Sequence, residues 1–206
     1  MIKAVLFDLD GVLVDSREWH YKALNRALDI NGYAGISRED HLTIYDGLPT
    51  KKKLEQMVAK GIINQKDVAR ISADKQDLTL DIISDNAKLE WDKIGMLNYM
   101  QQQYKIAVVT NCIRKTTEHI LMRTGLSIYF KTIITNEDIR HPKPHAEPYI
   151  TAMACLGLGP AACLIVEDSE HGIKAAETTG AHVMKVKSPA EVTLGNLMET
   201  INKCNC

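Results

Sequence analysis

The sequence predicts an α/β protein with a doubly wound, mostly parallel sheet and an inserted α-helical segment. Short apolar runs rich in β-branched residues recur along the chain, and amphipathic stretches separate the later runs. A segment with helical patterning and no convincing strand follows the first run. Alternating strands and helices are typical of a parallel sheet covered by helices on both faces, and the helical segment interrupts that alternation.

The predicted strands are apolar on both faces, as expected for strands buried between two helical layers. The three strongest are Ala4 to Phe7, Lys105 to Val109 and Cys163 to Val166, and the two weaker ones are Thr132 to Thr135 and His182 to Val186. The predicted crossover helices are Thr116 to Thr124, Glu147 to Leu156 and Ser169 to Thr178.

The helical segment covers residues 16–90 and follows the first predicted strand. Its helical patterning is punctuated by glycines and by Pro49. Its candidate helices are Arg17 to Leu28, Arg38 to Tyr45, Lys51 to Lys60 and Lys66 to Leu89. We therefore predict a core domain formed by residues 1–15 and 91–206, into which residues 16–90 are inserted as a helical cap.

Composition narrows the class of ligand. The 206 residues include 25 Lys and Arg against 26 Asp and Glu, which leaves a formal charge of -1. A chain of this charge lacks the broad positive field that nucleic acids and anionic membranes require of their binders. We therefore expect a small, locally recognised substrate, no nucleic-acid or membrane partner, and a monomer or weak homo-oligomer.

Targeting signals and cysteine usage indicate a cytoplasmic protein. The apolar run at the N-terminus ends at Asp8, too early for the hydrophobic region of a signal peptide, and no other stretch is long enough to span a bilayer. The five cysteines are an odd number at scattered positions, which is typical of reduced thiols.

Two carboxylates follow the first predicted strand, in the segment AVLFDLDG. Asp8 and Asp10 come directly after the apolar run, and Gly11 permits a sharp turn. Ligands of open α/β sheets gather at the carboxyl ends of the strands, and residues two apart in extended chain point the same way. Both carboxylates are therefore candidates for one site, where Mg²⁺ would relieve their repulsion. An ordinary acidic turn is the alternative.

A hydroxyl and an amide follow the second strong strand. Thr110 and Asn111, together with the free N–H groups of a following helix start, are suited to hold phosphate oxygens. Both residue types are also ordinary helix caps, which is the alternative interpretation of the pair.

A lysine lies between two prolines in the segment HPKPHAEP. Pro142 and Pro144 restrict the backbone around Lys143 and give its charge a defined position. Such a charge would stabilise a nucleophilic carboxylate and a transferring phosphoryl group together. An exposed loop lysine is the alternative.

A second acidic pair, Glu167 and Asp168, follows the third strong strand. It supplies oxygen ligands that Asp8 and Asp10 lack for an octahedral ion. We assign Glu167 to the shell behind the ligands, as a buried carboxylate that orients its neighbours.

Taken in order, DLDGV, TN after a strand, KP, and ED after a strand resemble the four signature motifs of the haloacid dehalogenase-like (HAD) superfamily. The resemblance spans nearly the whole chain. The helical insertion after the first motif resembles the α-helical cap of the phosphoglycolate-phosphatase-like and β-phosphoglucomutase-like branches, and the resemblance implies a Rossmann-like core.

The resemblance implies a role for each motif residue. Asp8 would attack phosphorus to form an aspartyl-phosphate, and Asp10 would protonate the leaving oxygen and later deprotonate water. Mg²⁺ would be held by the Asp8 carboxylate, the Asp10 backbone carbonyl and Asp168. The phosphoryl oxygens would be bound by Thr110, Asn111 and Lys143. The family's dehalogenases lack an aspartate at position 10, so a phosphate ester is favoured over a carbon–halogen bond.

The predicted cap also contains candidates for substrate contact. The stretch DGLPTKKKLEQM resembles the cap loop and helix that face the core site in this family. Thr50 is predicted as an N-cap, which places Lys51, Lys52 and Lys53 in a first turn where the helix dipole disfavours cations. That cost would serve an anionic substrate, and a solubilising charged face is the alternative. His20 is a candidate hinge or proton-relay residue, as in the phosphoglucomutase-like branch, with a partly buried polar position as the alternative.

The leading hypothesis is a magnesium-dependent phosphatase of a small phosphorylated metabolite, such as a sugar phosphate or a phosphoglycolate-like acid. A phosphomutase is the first alternative, and it needs a cap that excludes water so that the aspartyl-phosphate survives until a sugar phosphate arrives. A non-catalytic phospholigand-binding regulator is the second alternative, which the presence of all the catalytic positions disfavours.

Overall fold

The computed structural model describes residues 1–205, in which five strands form a parallel sheet. The strands are β1 (Ala4–Phe7), β2 (Lys105–Val109), β3 (Thr132–Ile134), β4 (Cys163–Glu167) and β5 (His182–Lys185). Their order is β3-β2-β1-β4-β5, so the chain winds outward to one edge and then crosses to the other. The predicted doubly wound parallel sheet is confirmed, and the ends of β3, β4 and β5 each differ by one residue from the prediction.

The central strand β1 explains why the strand segments are apolar on both faces. Ala4 pairs with Lys105 of β2 on one side and with Cys163 of β4 on the other. Side chains of β1 pack alternately into two hydrophobic clusters, one on each face of the sheet. Because β1 is buried and apolar from Ala4 to Phe7, the first polar side chain in this part of the chain is Asp8, which directly follows the strand.

Helices cover both faces of the sheet and form the segment between β1 and β2. In the described chain they are α1 (Arg17–Ile30), α2 (Arg38–Asp40), α3 (Thr50–Ala59), α4 (Val68–Asn86), α5 (Trp91–Met100), α6 (Arg114–Thr124), α7 (Glu147–Leu156), α8 (Glu170–Thr178) and α9 (Leu194–Asn205). A π-helical turn over His41–Tyr45 continues α2. Within residues 1–205, no helix is both long enough and apolar enough to span a membrane.

The segment between β1 and β2 has a hydrophobic cluster of its own. Helix α1 packs along α4, and buried side chains of α1, α3, α4 and the π-helical turn meet in this cluster. The largest fully buried members are Leu24, Leu28, Tyr45, Leu54, Met57 and Ile71. This cluster holds the helices of the segment together over the carboxyl ends of the central strands.

Two helix starts differ from the predicted ones. Thr50 is the first residue of α3, and Pro49 occupies the N-cap position with an extended backbone (φ −58°, ψ 147°) and no side-chain cap. The prediction of Thr50 as an N-cap is therefore wrong, because the proline ring fixes φ at about −65° and the helix starts directly after it. The helix predicted from Lys66 to Leu89 is α4, which begins at Val68 after a 3₁₀ turn and ends at Asn86.

Candidate active site

A cavity of about 70 Å³ lies between the carboxyl ends of the central strands and the helical segment. Its core wall includes Asp8, Asp10, Thr110, Asn111, Cys112 and Asp168. These residues follow β1, β2 and β4, which are neighbours in the sheet, so their side chains meet at one edge. Its other wall includes Arg17, His20, His41, Asp46, Thr50, Lys53 and Lys75.

Lys143 is a buried cation beside Asp8. Its ammonium lies 2.6 Å from Asp8 Oδ1, 2.5 Å from Glu167 Oε1 and 2.8 Å from the carbonyl oxygen of Val109. The same nitrogen lies 4.7 Å from the centroid of the Tyr149 ring. Three oxygens accept from the three N–H groups of the ammonium, so the charge of Lys143 is held in one position.

Glu167 has no exposed surface, and both of its carboxylate oxygens accept hydrogen bonds inside the protein. Oε1 accepts hydrogen bonds from Lys143 and from the Tyr149 hydroxyl, each at 2.5 Å. Oε2 accepts from the two following backbone N–H groups at 3.0 and 3.3 Å. A Cβ atom on Gly172 would lie 1.9 Å from Oε1, so α8 approaches this carboxylate closely because position 172 is glycine. Glu167 therefore orients Lys143 and the start of α8.

The Asp8 carboxylate is 7% exposed and surrounded by charge. Burial raises the pKa of Asp8 well above its ordinary value, and the Lys143 ammonium opposes that rise. The nearby carboxylates of Glu167 and Asp168 raise the pKa further, because like charges disfavour ionisation. Lys143 therefore favours the ionised, nucleophilic form of Asp8, and a cation beside the three carboxylates would favour it further.

The Asp10 carboxylate faces the helical segment. Its Oδ1 accepts from the Ser16 hydroxyl and lies 3.1 Å from His20 Nε2, and the Cys112 thiol donates to Oδ2 at 3.0 Å. Burial by itself would raise the pKa of Asp10. The charge that His20 carries when protonated and the hydrogen bonds from His20, the thiol and the hydroxyl reverse that effect and hold the pKa well below its ordinary value. Asp10 is therefore ionised and able to accept a proton.

His20 links Asp10 to Lys75 of α4. The Lys75 ammonium lies 3.3 Å from His20 Nδ1. An ammonium can only donate, so Nδ1 is the accepting nitrogen and Nε2 carries the proton that points to Asp10. Burial lowers the pKa of both His20 and Lys75. The three side chains form a hydrogen-bonded chain from the helical segment to the core.

Asp168 has the unused oxygen atoms expected of a metal ligand. Both carboxylate oxygens are buried and lack a hydrogen-bond partner within the described chain, although the Arg17 guanidinium approaches Oδ2 to 3.5 Å. Burial and the charge of Glu167 raise the pKa of Asp168 to about 7. A Cβ on Gly11 (φ 88°) would lie 2.0 Å from Oδ2. One oxygen each of Asp8, Glu167 and Asp168 lie within 4.8 Å of one another, so the residues present fit a magnesium ion.

Thr110 and Asn111 form the wall between Asp8 and the helical segment. The buried Thr110 hydroxyl accepts from the backbone N–H of Cys112 at 3.0 Å. The Asn111 amide nitrogen donates to the carbonyl of Gly47 at 2.7 Å and to that of Lys143 at 3.1 Å, while its oxygen accepts from the Lys143 backbone N–H. Asn111 therefore joins the segment that carries Lys143 to the loop before α3, and its amide faces backbone groups.

The three lysines in the first turn of α3 differ in their exposure to solvent. Lys51 and Lys52 are exposed and lie outside the cavity wall, and Lys52 pairs with Glu55 at 3.1 Å. Lys53 is buried and lines the cavity together with Thr50. Positions three apart share a helix face, so a helix that begins at Thr50 aims Lys53 inward. The geometry does not support the predicted substrate contact of Lys51 and Lys52.

Cys112, Lys75 and His41 line the cavity but are not among the site residues predicted from the sequence. A signal for Lys75 exists, because it stands at four-residue spacing within the buried face of α4 (Ile71, Thr79 and Ile83). His41 belongs to a π-helical turn, in which side chains do not follow α-helical spacing. Cys112 gives no local signal, since its partner Asp10 lies 102 residues away.

Comparison with known proteins identifies related sequences. A family model described as haloacid dehalogenase-like hydrolase matches residues 5–186. A putative pyrophosphatase PpaX of Clostridium perfringens is 31% identical over 195 residues, covering 92% of this chain and 86% of the relative. The fructose-1-phosphate phosphatase YqaB of Escherichia coli is 23% identical over 186 residues, covering 89% of this chain and 95% of the relative.

Solved structures share the fold over most of their length. A β-phosphoglucomutase from Clostridium difficile has a TM-score of 0.84 at 20% identity, covering 98% of both chains. CbbY from Rhodobacter sphaeroides, in complex with xylulose-(1,5)bisphosphate, has a TM-score of 0.80 at 21% identity, covering 90% of this chain and 86% of the other. Similarity at this level of identity establishes the fold, and the chemistry has to be argued from the residues of the cavity.

Proposed function

The chain belongs to the haloacid dehalogenase-like hydrolase family, and from that premise we propose that it is a magnesium-dependent phosphatase of a small phosphorylated metabolite. One observation carries the proposal: the buried Asp8 carboxylate lies 2.6 Å from Lys143 and close to Asp168, whose oxygens lack a hydrogen-bond partner within residues 1–205. The substrate class we propose is a sugar phosphate or a phosphoglycolate-like acid. The relative named as a fructose-1-phosphate phosphatase supports a sugar phosphate.

Asp8 is the nucleophile in this proposal. Lys143 is bonded to Oδ1, and we assign the attack on phosphorus to Oδ2. As the bond between this oxygen and phosphorus forms, the bond from phosphorus to the ester oxygen breaks, which gives an aspartyl-phosphate and an alcohol. Water then attacks the phosphorus, phosphate leaves, and the Asp8 carboxylate is regenerated.

Asp10 handles the proton in both steps. It delivers a proton to the leaving oxygen in the first step and removes one from water in the second. Because Asp10 is ionised in this arrangement, we propose that the proton for the first step comes from His20 Nε2, 3.1 Å away. Lys75 at Nδ1 can replace that proton, since its ammonium is a donor 3.3 Å from the ring.

The remaining core residues would bind the phosphoryl group and the ion. The Asp8 carboxylate, the Asp10 backbone carbonyl and Asp168 would hold Mg²⁺. When bound, the ion reduces the electrostatic repulsion between the Asp8 carboxylate and the approaching phosphate. The Thr110 hydroxyl would donate to a phosphoryl oxygen, and Lys143 would bind another only by giving up one of its three present acceptors. Asn111 would hold the Lys143 segment in place through the contacts described above.

We further propose that residues 16–90 act as a cap over a core of residues 1–15 and 91–206. The separate hydrophobic cluster of this segment supports that division. A cytoplasmic enzyme without nucleic-acid or membrane partners, acting as a monomer or weak homo-oligomer, accords with the net charge of -1 and with four described cysteines that are free.

An assay of phosphate release tests the proposed function. Purified protein is incubated with Mg²⁺ and a panel of phosphate esters, and free phosphate is measured. We expect release from at least one small ester, loss of turnover when the metal is chelated, and loss in Asp8→Asn. Absence of release from every ester, or full activity of Asp8→Asn, would contradict the proposal.

A phosphomutase is the second candidate, because the nucleophile is buried. Asp8 is 7% exposed, which restricts the access of bulk water to an aspartyl-phosphate. Measuring isomerised sugar phosphate beside free phosphate, with a sugar bisphosphate as primer, separates the two. Primer-dependent isomerisation without phosphate release favours the mutase, and phosphate release without isomerisation favours the phosphatase.

A further inference from the structure

The segment that carries Lys143 brings two imidazoles and a carboxylate together. His141 and His145 stand on either side of the lysine in the chain, and Glu147 is the first residue of α7. One ligand atom of each of these three side chains lies within 4.8 Å of the other two. Both histidines are exposed and Glu147 is half-buried, so an ion can reach the group from solvent. The group shares no residue with the carboxylates beside Asp8.

Short contacts connect the three side chains. His141 Nδ1 lies 2.7 Å from Glu147 Oε2, and the centroids of the two imidazole rings are 4.9 Å apart with their planes inclined at 39°. His145 Nδ1 accepts from the backbone N–H of Glu147 at 3.1 Å. Within residues 1–205 both rings make their hydrogen bonds through Nδ1, so Nε2 of each ring is available to an ion.

The backbone holds these groups in a defined arrangement. Prolines at positions 142, 144 and 148 fix φ at three points of the segment. The Glu147 carboxylate accepts from the backbone N–H groups of Arg140 and His141 at 2.8 and 3.0 Å, which ties the start of the segment to the start of α7. An ion that binds here therefore has little loop freedom to remove, and such preorganisation favours binding.

The donor types and their spacing suit zinc better than magnesium. Imidazole nitrogen is a preferred ligand of Zn²⁺ and similar transition-metal ions, whereas Mg²⁺ takes oxygen ligands. Ligand atoms bound tetrahedrally at about 2.0–2.1 Å from the ion lie about 3.3 Å from one another. Separations of at most 4.8 Å therefore have to close by about 1.5 Å or less, which rotation of two exposed histidine side chains allows.

We propose that His141, His145 and Glu147 form a second metal site, which binds Zn²⁺ or a similar divalent transition-metal ion through three protein ligands and water. The bound ion joins the residues before and after Lys143, and so restrains the segment from which this lysine reaches Asp8. The inference goes beyond the proposed phosphatase function and does not depend on it, because metal binding is measured without turnover.

Absorption spectroscopy with Co²⁺, a coloured probe of zinc sites, tests the assignment. Metal-free protein is titrated with Co²⁺ while Mg²⁺ in excess occupies the oxygen ligands beside Asp8. We expect visible cobalt bands that Zn²⁺ abolishes, without a near-ultraviolet band from thiolate to cobalt. A thiolate band as the only signal would place the ion at a cysteine, such as Cys112 beside Asp10 and His20, and would overturn the proposal. Absence of Co²⁺ binding would also overturn it.

Calorimetric titration of Zn²⁺ into variants identifies the ligands. His145→Asn removes the imidazole and keeps an acceptor for the Glu147 N–H, because asparagine commonly bonds the N–H two residues on. His145→Asn and His141→Gln should each weaken Zn²⁺ binding by roughly tenfold or more, since loss of even a residue behind the ligands costs about 10- to 100-fold. Wild-type affinity in either variant would overturn the site.

His182→Asn is the control for these titrations. His182 lies in the edge strand β5 and belongs to none of the groups of three possible ligands within residues 1–205, so its variant should bind Zn²⁺ as the wild type does. Equal weakening in His182→Asn would show that the loss in the other variants is not specific to the site, and would overturn the assignment.

Hydrogen exchange tests the restraint on the Lys143 segment. The Lys143 N–H donates to Asn111 Oδ1 and the His145 N–H to the carbonyl of Pro142, so exchange of these amides requires the segment to open. Saturating Zn²⁺ should slow exchange over residues 140–147 by roughly tenfold or more in the wild type and leave it unchanged in His145→Asn, because opening then includes loss of the ion. Equal exchange of the wild type with and without bound Zn²⁺ would refute the restraint.

Discussion

Replacement of Lys143 by methionine removes the cation that compensates two buried carboxylates. The ammonium lies 2.6 Å from Asp8 and 2.5 Å from Glu167, and all three side chains are buried. Loss of one partner from a buried ion pair typically costs about 3–5 kcal/mol. The carboxylates can avoid part of that cost by binding protons, so the cost depends on pH.

The sign of this pH dependence follows from the Lys143 ammonium, which in the wild type lowers the pKa of Asp8 against the effect of burial. Without Lys143 that pKa rises further, so the folded state holds a proton that an unfolded aspartate has lost above about pH 4. The unfolded state then binds fewer protons than the folded state, and stability falls as pH rises. For one carboxyl group that is protonated in the folded state and ionised in the unfolded state, the free energy of unfolding falls by up to about 2.7 kcal/mol as the pH rises from about 5 to about 7.

Urea unfolding of Lys143→Met and wild type at these two pH values, without added magnesium, measures the effect. The deficit of the variant should be larger at the higher pH, and its kcat should fall by roughly 10²- to 10³-fold. Lys115→Met is the control, because Lys115 is an exposed residue of α6, and its stability should match wild type at both pH values. A deficit that is equal at both pH values, or that shrinks as pH rises, would refute the reasoning.

Three further predictions concern the surrounding residues. Gly172→Ala should clearly lower the urea midpoint, because the added Cβ would lie 1.9 Å from Glu167 Oε1. Gly95→Ala is the control: a Cβ added there meets no neighbouring atom within 4 Å, so this variant should be as stable as wild type or more stable by up to about 1 kcal/mol. Asp168→Asn should raise the thermal midpoint in EDTA at about pH 8, since it removes a buried carboxylate that has no hydrogen-bond partner in residues 1–205 and whose pKa burial raises to about 7. It should also abolish stabilisation by Mg²⁺, and an unchanged response to Mg²⁺ would argue against its role as a ligand. Lys75→Met should lower kcat by roughly tenfold or more. In the wild type the ¹⁵N NMR signature of the His20 ring should be that of the Nε2–H tautomer, and an Nδ1–H signature would contradict the assigned proton.

Much of the fold was accessible from the sequence because β1, β2 and β4 lie inside the sheet. Strands covered on both faces must be apolar throughout, so their ends coincide with the first polar residues, and the acidic pairs at Asp8 and Glu167 stand out. Sequence analysis predicts neither α5 nor α9. Helix α5 has a weakly amphipathic pattern that includes the buried Lys93, whose ammonium bonds to the carbonyl of Pro189. Such a lysine is satisfied by tertiary contacts that local patterning does not contain.

The wall that the helical segment forms was less accessible from the sequence. The packing of Leu54 and Met57 into the cluster of that segment sets which lysine of α3 faces the cavity, and this packing is a tertiary contact. The partners of Asp10 present a second difficulty. Cys112 and Lys75 reach the site from segments far along the chain, and their contacts arise only when the helical segment folds over the sheet.

Identification of the phosphorylated residue tests the nucleophilic role of Asp8 most directly. The enzyme with Mg²⁺ is mixed with a ³²P-labelled ester that it hydrolyses and is quenched in acid during the first turnover. One portion is counted for protein-bound ³²P, and the other is treated with borohydride, which reduces an aspartyl-phosphate to homoserine and releases its phosphate. The first portion should carry label, peptide mass spectrometry of the second should find homoserine at position 8, and Asp8→Asn should show neither. Label on another residue, or rapid turnover with no phosphorylated peptide at any time point, would contradict the account.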